Sequence, residues 1–419
     1  MLNLVGAYLG PNILVDRPAY MDRLQKEWGL NMAIIGSTIR VSAETAAIHP
    51  TDPGSGAEVD DSVTLRAIEE ARTRGMTVWL LFGGWHGPVT EDRLDLEAKT
   101  LDGRSFLRTP KPRYALEQPT VVCPSHEGFE AWSVRVLADA AANYDVDVID
   151  LTHARYVSPA VVHSLFGCGC ARCAQRAETM GYDFDGMKAG VLRFLDAVRA
   201  VDAGFIRDLL GLNPSPIELI SAFPGSEELP RWFTFRAKGI SENLRRRQKA
   251  VHEASGGKIR FGTDCHIPSF ALLAGHDYKE IVEVTDFTQP LLTWVEWHML
   301  TVPAAWASWM CDHAEGLSEQ DALRFAYRLV GYDGFGLPTA FDELRVTAPG
   351  CEERCTALYD IVEAELIKSR LYNRKTPSYA VLKGSVWPKE TIQRLAARAE
   401  ELGHEGVIYN AGTTALIGE

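Results

Sequence analysis

The chain is predicted to fold as a (β/α)8 barrel. Three observations carry that expectation. Eight short apolar runs read as buried strands, helical periodicity fills the intervals between them, and polar residues collect where the runs end. The alternative, a doubly wound open sheet, is disfavoured because no Gly-x-Gly-x-x-Gly follows the first run. With 419 residues, 46% hydrophobic and 24% charged, the composition is that of a globular protein.

The first run spans 4–9 and stops at Gly10-Pro11-Asn12, with a helix expected over 19–28. Run two is 32–37. A helix over 61–74 closes on Gly75, a C-terminal stop. Run three, 77–82, ends at Gly83-Gly84-Trp85-His86. A helix over 127–144 leads to run four, 146–151, and a long helix over 233–254 leads to run five, 258–263. A short helix at 270–275 precedes run six, 286–292, and a helical stretch from about 297 to 370 precedes run seven, 379–383. A helix over 389–402 and Gly403 lead to run eight, 406–410.

The intervals 83–126, 157–232 and 293–377 are too long for plain connections. Each leaves the carboxyl end of a run, which in such barrels carries the active site. The whole of 1–419 therefore reads as one domain with elaborated loops around a pocket.

Lys and Arg number 43 against 56 Asp and Glu, a net charge of −13. An acidic chain of this kind is a poor partner for nucleic acid or an anionic membrane. The basic run Arg245-Arg246-Arg247-Gln248-Lys249 reads as a solvated helix face. No stretch approaches the ~18 apolar residues of a membrane span. Residues 1–5 have no basic lead or cleavage site, so a cytoplasmic protein is expected. Oligomeric state stays open, with a homo-oligomer among the expectations.

Polar residues ending different strands converge on one pocket in a barrel. Asp150 follows an apolar run, Asp264 sits one strand over, and Glu296 follows run six; these three are the candidate catalytic carboxyls. Each has a plainer reading: Asp150 as the ion-pair partner of Arg155, Asp264 as a cap for the helix near Pro268, Glu296 as a first-turn helix residue. Asp286 begins its strand and is set aside as lying at the wrong end. Two carboxyls across a pocket suit glycoside hydrolysis, in which an acid protonates the leaving oxygen and a carboxylate acts as nucleophile or activates water. Asp150 is expected as nucleophile or base, with Asp264 or Glu296 as the acid. Tyr8, Arg40, Trp85, His86, His153, Arg155, Tyr156, His266, Trp294, Lys383 and Tyr409 are the candidate substrate-binding residues, Arg155 and His153 orienting Asp150 or binding hydroxyls. The aromatics among them, with Trp297 and Trp387, are candidate stacking faces for sugar rings.

Cys168-Gly169-Cys170-Ala171-Arg172-Cys173 is a C-x-C-x-x-C run, and Cys123 lies in the loop after run three. Thiols this close can share a tetrahedral metal. Three readings stay open: a structural zinc on Cys123, Cys168, Cys170 and Cys173, disulfides, or free thiols. Four thiolates leave no open position, so no catalytic cofactor is expected. Cys351 and Cys355 read as helix residues, Cys265 and Cys311 as core.

The segment Val122-Cys123-Pro124-Ser125-His126-Glu127, the strand text from Tyr144 to Leu151 and Ala154-Arg155-Tyr156 together resemble a group of bacterial glycoside-hydrolase-like barrels. The cysteine run, Trp232-Phe233-Thr234-Phe235-Arg236 and the closing stretch from Gly403 to Asn410 are similar to elements of the same group. The resemblance implies a (β/α)8 barrel acting on glycosides, with Asp150 and Arg155 matching its strand-four motif. Thr152-His153 departs from that motif. The leading expectation is a glycosidase for a small glycoside or oligosaccharide. Two alternatives remain: a metal-dependent barrel enzyme, an isomerase or hydrolase, with ligands among His86, His153, Asp264 and His266, and a carbohydrate-binding barrel without turnover.

Overall fold

The computed structural model describes residues 2–36, 38–48, 55–85, 89–110, 113–114, 121–292, 295–344, 357–383, 387–410 and 416–417; for 163, 295–297 and 357 it describes the backbone alone. Eight parallel strands form the central ring: β1 (Leu4–Leu9), β2 (Met32–Gly36), β3 (Thr77–Gly83), β4 (Val148–Thr152), β5 (Arg260–Cys265), β6 (Phe287–Pro290), β7 (Tyr379–Lys383) and β8 (Gly406–Asn410). Neighbours pair in parallel from β6 through β5, β4, β3, β2, β1 and β8 to β7. The ring closes between β6 and β7 through two isolated bridges, Thr288 to Ser378 and Leu291 to Val381. This is a (β/α)8 barrel. Pro290, which has no N–H to give a ladder, ends β6 at that seam, earlier than the run 286–292 had suggested.

Every second strand residue points into the lumen. Leu4 and Tyr8, Met32 and Ile34, Trp79 and Leu81, Val148, Phe287, Leu291, Tyr379, Val381 and Ile408 form one interior cluster. The residues between them, such as Ala33, Ile35, Leu80, Ile149, Leu382 and Val407, face the helices. Trp79 fills the middle of the lumen, its ring 4.6 Å from Phe287 and 5.2 Å from Tyr379. Phe287 has room because position 262 is glycine: a Cβ there would stand 2.5 Å from its ring.

The floor repeats one device. The residue just before β2, β4 and β6 accepts from the amide of the second residue of the preceding strand. Asn31 accepts from the amide of Val5 (2.8 Å), Asp147 from Val78 (2.7 Å) and Asp286 from Phe261 (2.8 Å). Arg72 holds Asp147, and Gln248 and His252 hold Asp286. Asp286 thus sits at the amino-terminal end.

The outer layer includes α1 (Pro18–Trp28), α2 (Ser62–Thr73), α3 (Glu127–Asn143), α4 (Ala171–Thr179), α5 (Phe184–Arg199), α6 (Ala203–Gly211), α7 (Pro216–Ser221), α8 (Leu229–Ser255), α9 (Thr301–His313), α10 (Glu319–Val330), α11 (Ala357–Tyr372) and α12 (Lys389–Glu401). The interval after β4 is mostly helical, α4 to α7. The basic run on α8 is not uniformly solvated. Arg247 is buried against the Trp85 ring, 4.7 Å from its centroid, and donates to Glu130 at 2.9 Å, while Arg245, Arg246 and Lys249 remain exposed. Among the described residues no helix is long and apolar enough to cross a membrane.

Asp286→Ala leaves the Phe261 amide without its acceptor in the barrel floor. Urea denaturation is expected to show a loss of about 1–3 kcal/mol, with the opposite end of the barrel unchanged.

Candidate active site at the carboxyl end of the barrel

The inward parity that packs the lumen turns polar at one end. Tyr8 on β1, Asp150 and Thr152 on β4, Asp264 on β5, Gln289 on β6, Lys383 on β7 and Asn410 on β8 occupy lumen positions, each two residues along its strand from another inward residue. Asp150 pairs in register with Gly262, two residues before Asp264, so the two carboxyls are diagonal neighbours on adjacent strands. Asp264 lies within β5, in register with Gln289.

Asp150 is fully buried. Gln289 Nε2 donates to its Oδ1 at 2.5 Å, and its Oδ2 has no hydrogen-bond partner. The amide is fixed in that sense because Tyr8 OH donates to Gln289 Oε1 at 3.1 Å. Burial pushes the Asp150 carboxyl well above the usual carboxylate range; the Gln289 bond pulls it down and the negative charge of Asp264 raises it further. Burial, then Asp150, then Asp264, push the Tyr8 phenol up, so it stays a donor.

Asp264, 2% exposed, is held in the opposite way. Thr152 Oγ1 donates to Oδ2 and the His153 amide to Oδ1, both at 2.9 Å. Both oxygens are acceptors, the role of an ionised carboxyl. Asp264 is therefore no helix cap; at the helix Pro268–Ala271 it is Glu365 whose Oε2 accepts from the Ser269 amide, at 3.0 Å. His153 reaches this position with a left-handed φ of 58°, its Nδ1 2.8 Å from Thr152 Oγ1. Lys383 faces the same end, and burial lowers its amine to about 8.

Other expected site residues lie elsewhere. Asp150 accepts from Gln289, and the buried Arg155 donates to the Tyr156 carbonyl at 3.1 Å. Tyr156 is core, with the Arg236 guanidinium 3.9 Å over its ring. Trp85 is core beneath Arg247. Tyr409 lies between the inward Ile408 and Asn410, and so faces outward, edge-on to Trp28 at 5.2 Å. Arg40 belongs to a two-residue strand outside the ring, its amide donating to Tyr144 OH and its guanidinium 3.7 Å from Asp61. His266 is fully buried, its ring 4.3 Å from that of His298. Its amide donates to Nδ1 of His276, whose Nε2 donates to the Ala154 carbonyl; burial lowers His276 to about 4 and keeps it neutral. His86, Trp294 and the side chains of Glu296 and Trp297 lie outside the described residues, as do Cys351 and Cys355. Gln289 and Thr152 were the residues missed. Counting by twos back from each strand end singles them out.

The four expected cysteines do come together. The sulfurs of Cys123, Cys168, Cys170 and Cys173 all lie within 4.8 Å of one another, with Cys123 3.6 Å from both Cys170 and Cys173. A disulfide measures about 2.05 Å, and these cysteines are free. A tetrahedron with Zn–S bonds of about 2.3 Å has edges of about 3.8 Å. The Lys99 amide donates to Cys168 Sγ at 3.1 Å. The close approach requires glycine: a Cβ at 167 would stand 2.6 Å from the Phe106 ring, one at 169 2.4 Å from the Leu101 carbonyl. Among the described residues no other group of three or more His, Cys, Asp or Glu brings its ligand atoms so close, so His153, Asp264 and His266 do not form the ligand set that the metal-dependent alternative needs.

No family model matches the chain, and no curated protein sequence matches it. Solved structures do. The chain is similar to the PgaB (BpsB) glycoside hydrolase domain from Bordetella bronchiseptica, with TM-score 0.55 and 10% identity over 98% of this chain and 94% of that one. It is similar to a β-galactosidase from Rahnella sp. R3, with TM-score 0.52 and 12% identity over 98% of this chain and 50% of that one. The catalytic domain of β-amylase from Paenibacillus polymyxa gives TM-score 0.50 and 12% identity over 99% and 94%. What this chain shares with them is the (β/α)8 barrel. At these identities the likeness reaches no further than the fold.

Proposed function

We propose that the chain is a glycoside hydrolase acting on a small glycoside or oligosaccharide, without a catalytic cofactor. One observation carries the reading: two buried carboxyls on adjacent strands sit in opposite hydrogen-bonding environments. Asp150, buried and with one oxygen unbonded, is the general acid. Asp264, an acceptor at both oxygens, is the carboxylate facing the positive charge of an oxocarbenium-like transition state. This reverses the roles expected from the sequence, because burial favours the protonated form of Asp150 while Thr152 and His153 donate to Asp264. Tyr8 and Gln289 orient Asp150, and Lys383 and Asn410 are placed to meet substrate hydroxyls. The fold likeness supports the reading; Trp85, Tyr156 and Tyr409 do not, since none of them faces the lumen.

Asp264→Asn is expected to lower turnover of a reactive aryl glycoside, found by screening both anomers of the common hexoses, by at least about a thousandfold, and Asp150→Asn to lower turnover of the matching alkyl glycoside, whose leaving oxygen needs the proton, by at least about a hundredfold. Equal release by wild type and both variants would end the proposal. The active form carries a protonated Asp150, so activity falls as pH rises through its raised pKa, and the alkaline limb lies above the usual carboxylate range. Gln289→Leu removes a donor to the anion and is expected to move that limb to higher pH.

We also propose that the four cysteines hold a structural zinc, tying the loop after β3 to the loop after β4. The sulfur spacing and the amide donor to Cys168 support this over disulfides or free thiols. Elemental analysis is expected to find one zinc per chain, and none in Cys123→Ser/Cys170→Ser. Metal-free wild-type protein would leave the free-thiol reading.

A further inference from the structure

His153 reaches Asp264 by two routes. Its amide donates to Oδ1 at 2.9 Å. Its ring Nδ1 stands 2.8 Å from Thr152 Oγ1, and that hydroxyl donates to Oδ2 of the same carboxyl at 2.9 Å. A threonine hydroxyl has a single proton to give. Thr152 gives it to Asp264, so its contact with His153 is a hydrogen bond only if Nδ1 carries a proton. The ring is then the Nδ1–H tautomer or the imidazolium. In the Nε2–H tautomer Nδ1 would be an acceptor, Thr152 would turn its proton toward it, and Asp264 would lose a donor. The backbone holds the ring in this place. His153 has a left-handed φ of 58°, uncommon outside glycine. The carbonyls around it are pinned: the Gly84 amide donates to Thr152 O at 2.6 Å and the Trp85 amide to His153 O at 3.2 Å. Position 84 must be glycine, since a Cβ there would stand 2.6 Å from the His153 carbonyl oxygen. His276 Nε2 donates to the next carbonyl, that of Ala154, at 2.9 Å.

We propose that His153 and Thr152 form a relay, imidazole N–H to hydroxyl to carboxylate, in which His153 is a positioning residue that secures both donors to Asp264. Its catalytic consequence rests on the glycosidase reading above; its geometry does not. Hydrogen bonds in a chain strengthen one another, so the imidazole donor strengthens the bond that Thr152 makes to the carboxylate. The relay also gives the half-buried His153 ring a task that binding sugar hydroxyls does not require. The competing account is that the ring only meets substrate and the amide alone serves Asp264.

Nitrogen NMR on the full chain, isotope-labelled in its histidine rings, reads the tautomer without any substrate. The His153 signals, identified by their loss in His153→Asn, are expected to show a protonated Nδ1 and to shift in Thr152→Val. An unprotonated Nδ1 would overturn the relay, because Thr152 would then be donating to it. Kinetics on the aryl glycoside from the screen separate the relay from substrate contact. Thr152→Val should lower kcat by about ten- to a hundredfold and His153→Gly by about tenfold, each with KM within about threefold of wild type. His153→Gly keeps the left-handed backbone and the amide bond, so its loss belongs to the ring. His153→Asn places an N–H donor where Nδ1 stands and tolerates the same backbone, and Thr152→Ser keeps the hydroxyl; both should recover to within about threefold of the wild-type kcat. A His153→Gly that matches wild type, or that changes KM alone, would overturn the positioning role and leave only the amide. Wild-type protein that cleaves no glycoside would end the glycosidase reading instead, and the NMR would still decide for or against the relay.

Discussion

A closed ring of parallel strands sends every second side chain into the lumen, where nothing but other side chains can receive it. The rest of this molecule depends on that constraint. Below, the lumen is filled by Trp79, Phe287, Tyr379 and their aliphatic neighbours, with glycine at 262 to admit a ring. Above, the same positions carry Tyr8, Asp150, Asp264, Gln289 and Lys383. Gln289 joins β6 to β4 through Asp150 and to β1 through Tyr8. The site is the polar end of the core, subject to the same packing parity.

That parity explains what was legible in the sequence and what was not. Strands 4–9, 379–383 and 406–410 are found where expected because each is a short apolar run between clear breaks. Strands four and five are displaced toward the carboxyl end by one or two residues. Their starts at 146 and 258 look apolar or continuous, but Asp147 and the turn before Arg260 belong to the floor, and Asp264 is thereby inside its strand. Tyr409 was misjudged for lack of one step of counting: its neighbours Ile408 and Asn410 face in, so it cannot. Gln289, as an uncharged residue in a strand, gives no chemical signal on its own; only its inward position marks it.

A second class of residue was misread for a different reason. Trp85 and Tyr156 stand in loops at the expected end of the barrel, where an aromatic ring suggests a sugar platform. Each is taken by an arginine from α8, Trp85 by Arg247 and Tyr156 by Arg236. Those arginines lie far along the chain; in the sequence Arg247 reads as helix surface and Arg236 only as part of a helix start. Long-range pairing of this kind is invisible to local pattern. The cysteines were legible because a metal-like spacing is local for three of them, and only Cys123 had to be brought from the preceding loop. A short run of bonds then connects that cluster to the carboxyls: Val122 donates to the Trp85 carbonyl, Trp85 to the His153 carbonyl, and His153 to Asp264.

The ring is not equally bonded all the way round. Seven of its joins are ladders, and the eighth, between β6 and β7, is two bridges beside a proline. That line runs between the strand bearing Gln289 and the strand bearing Lys383. A wall with one thin join flexes there first, and here the thin join borders the paired carboxyls. Breathing of the scaffold and access to the buried Asp150 are then one motion, centred on Gln289, the residue that holds it.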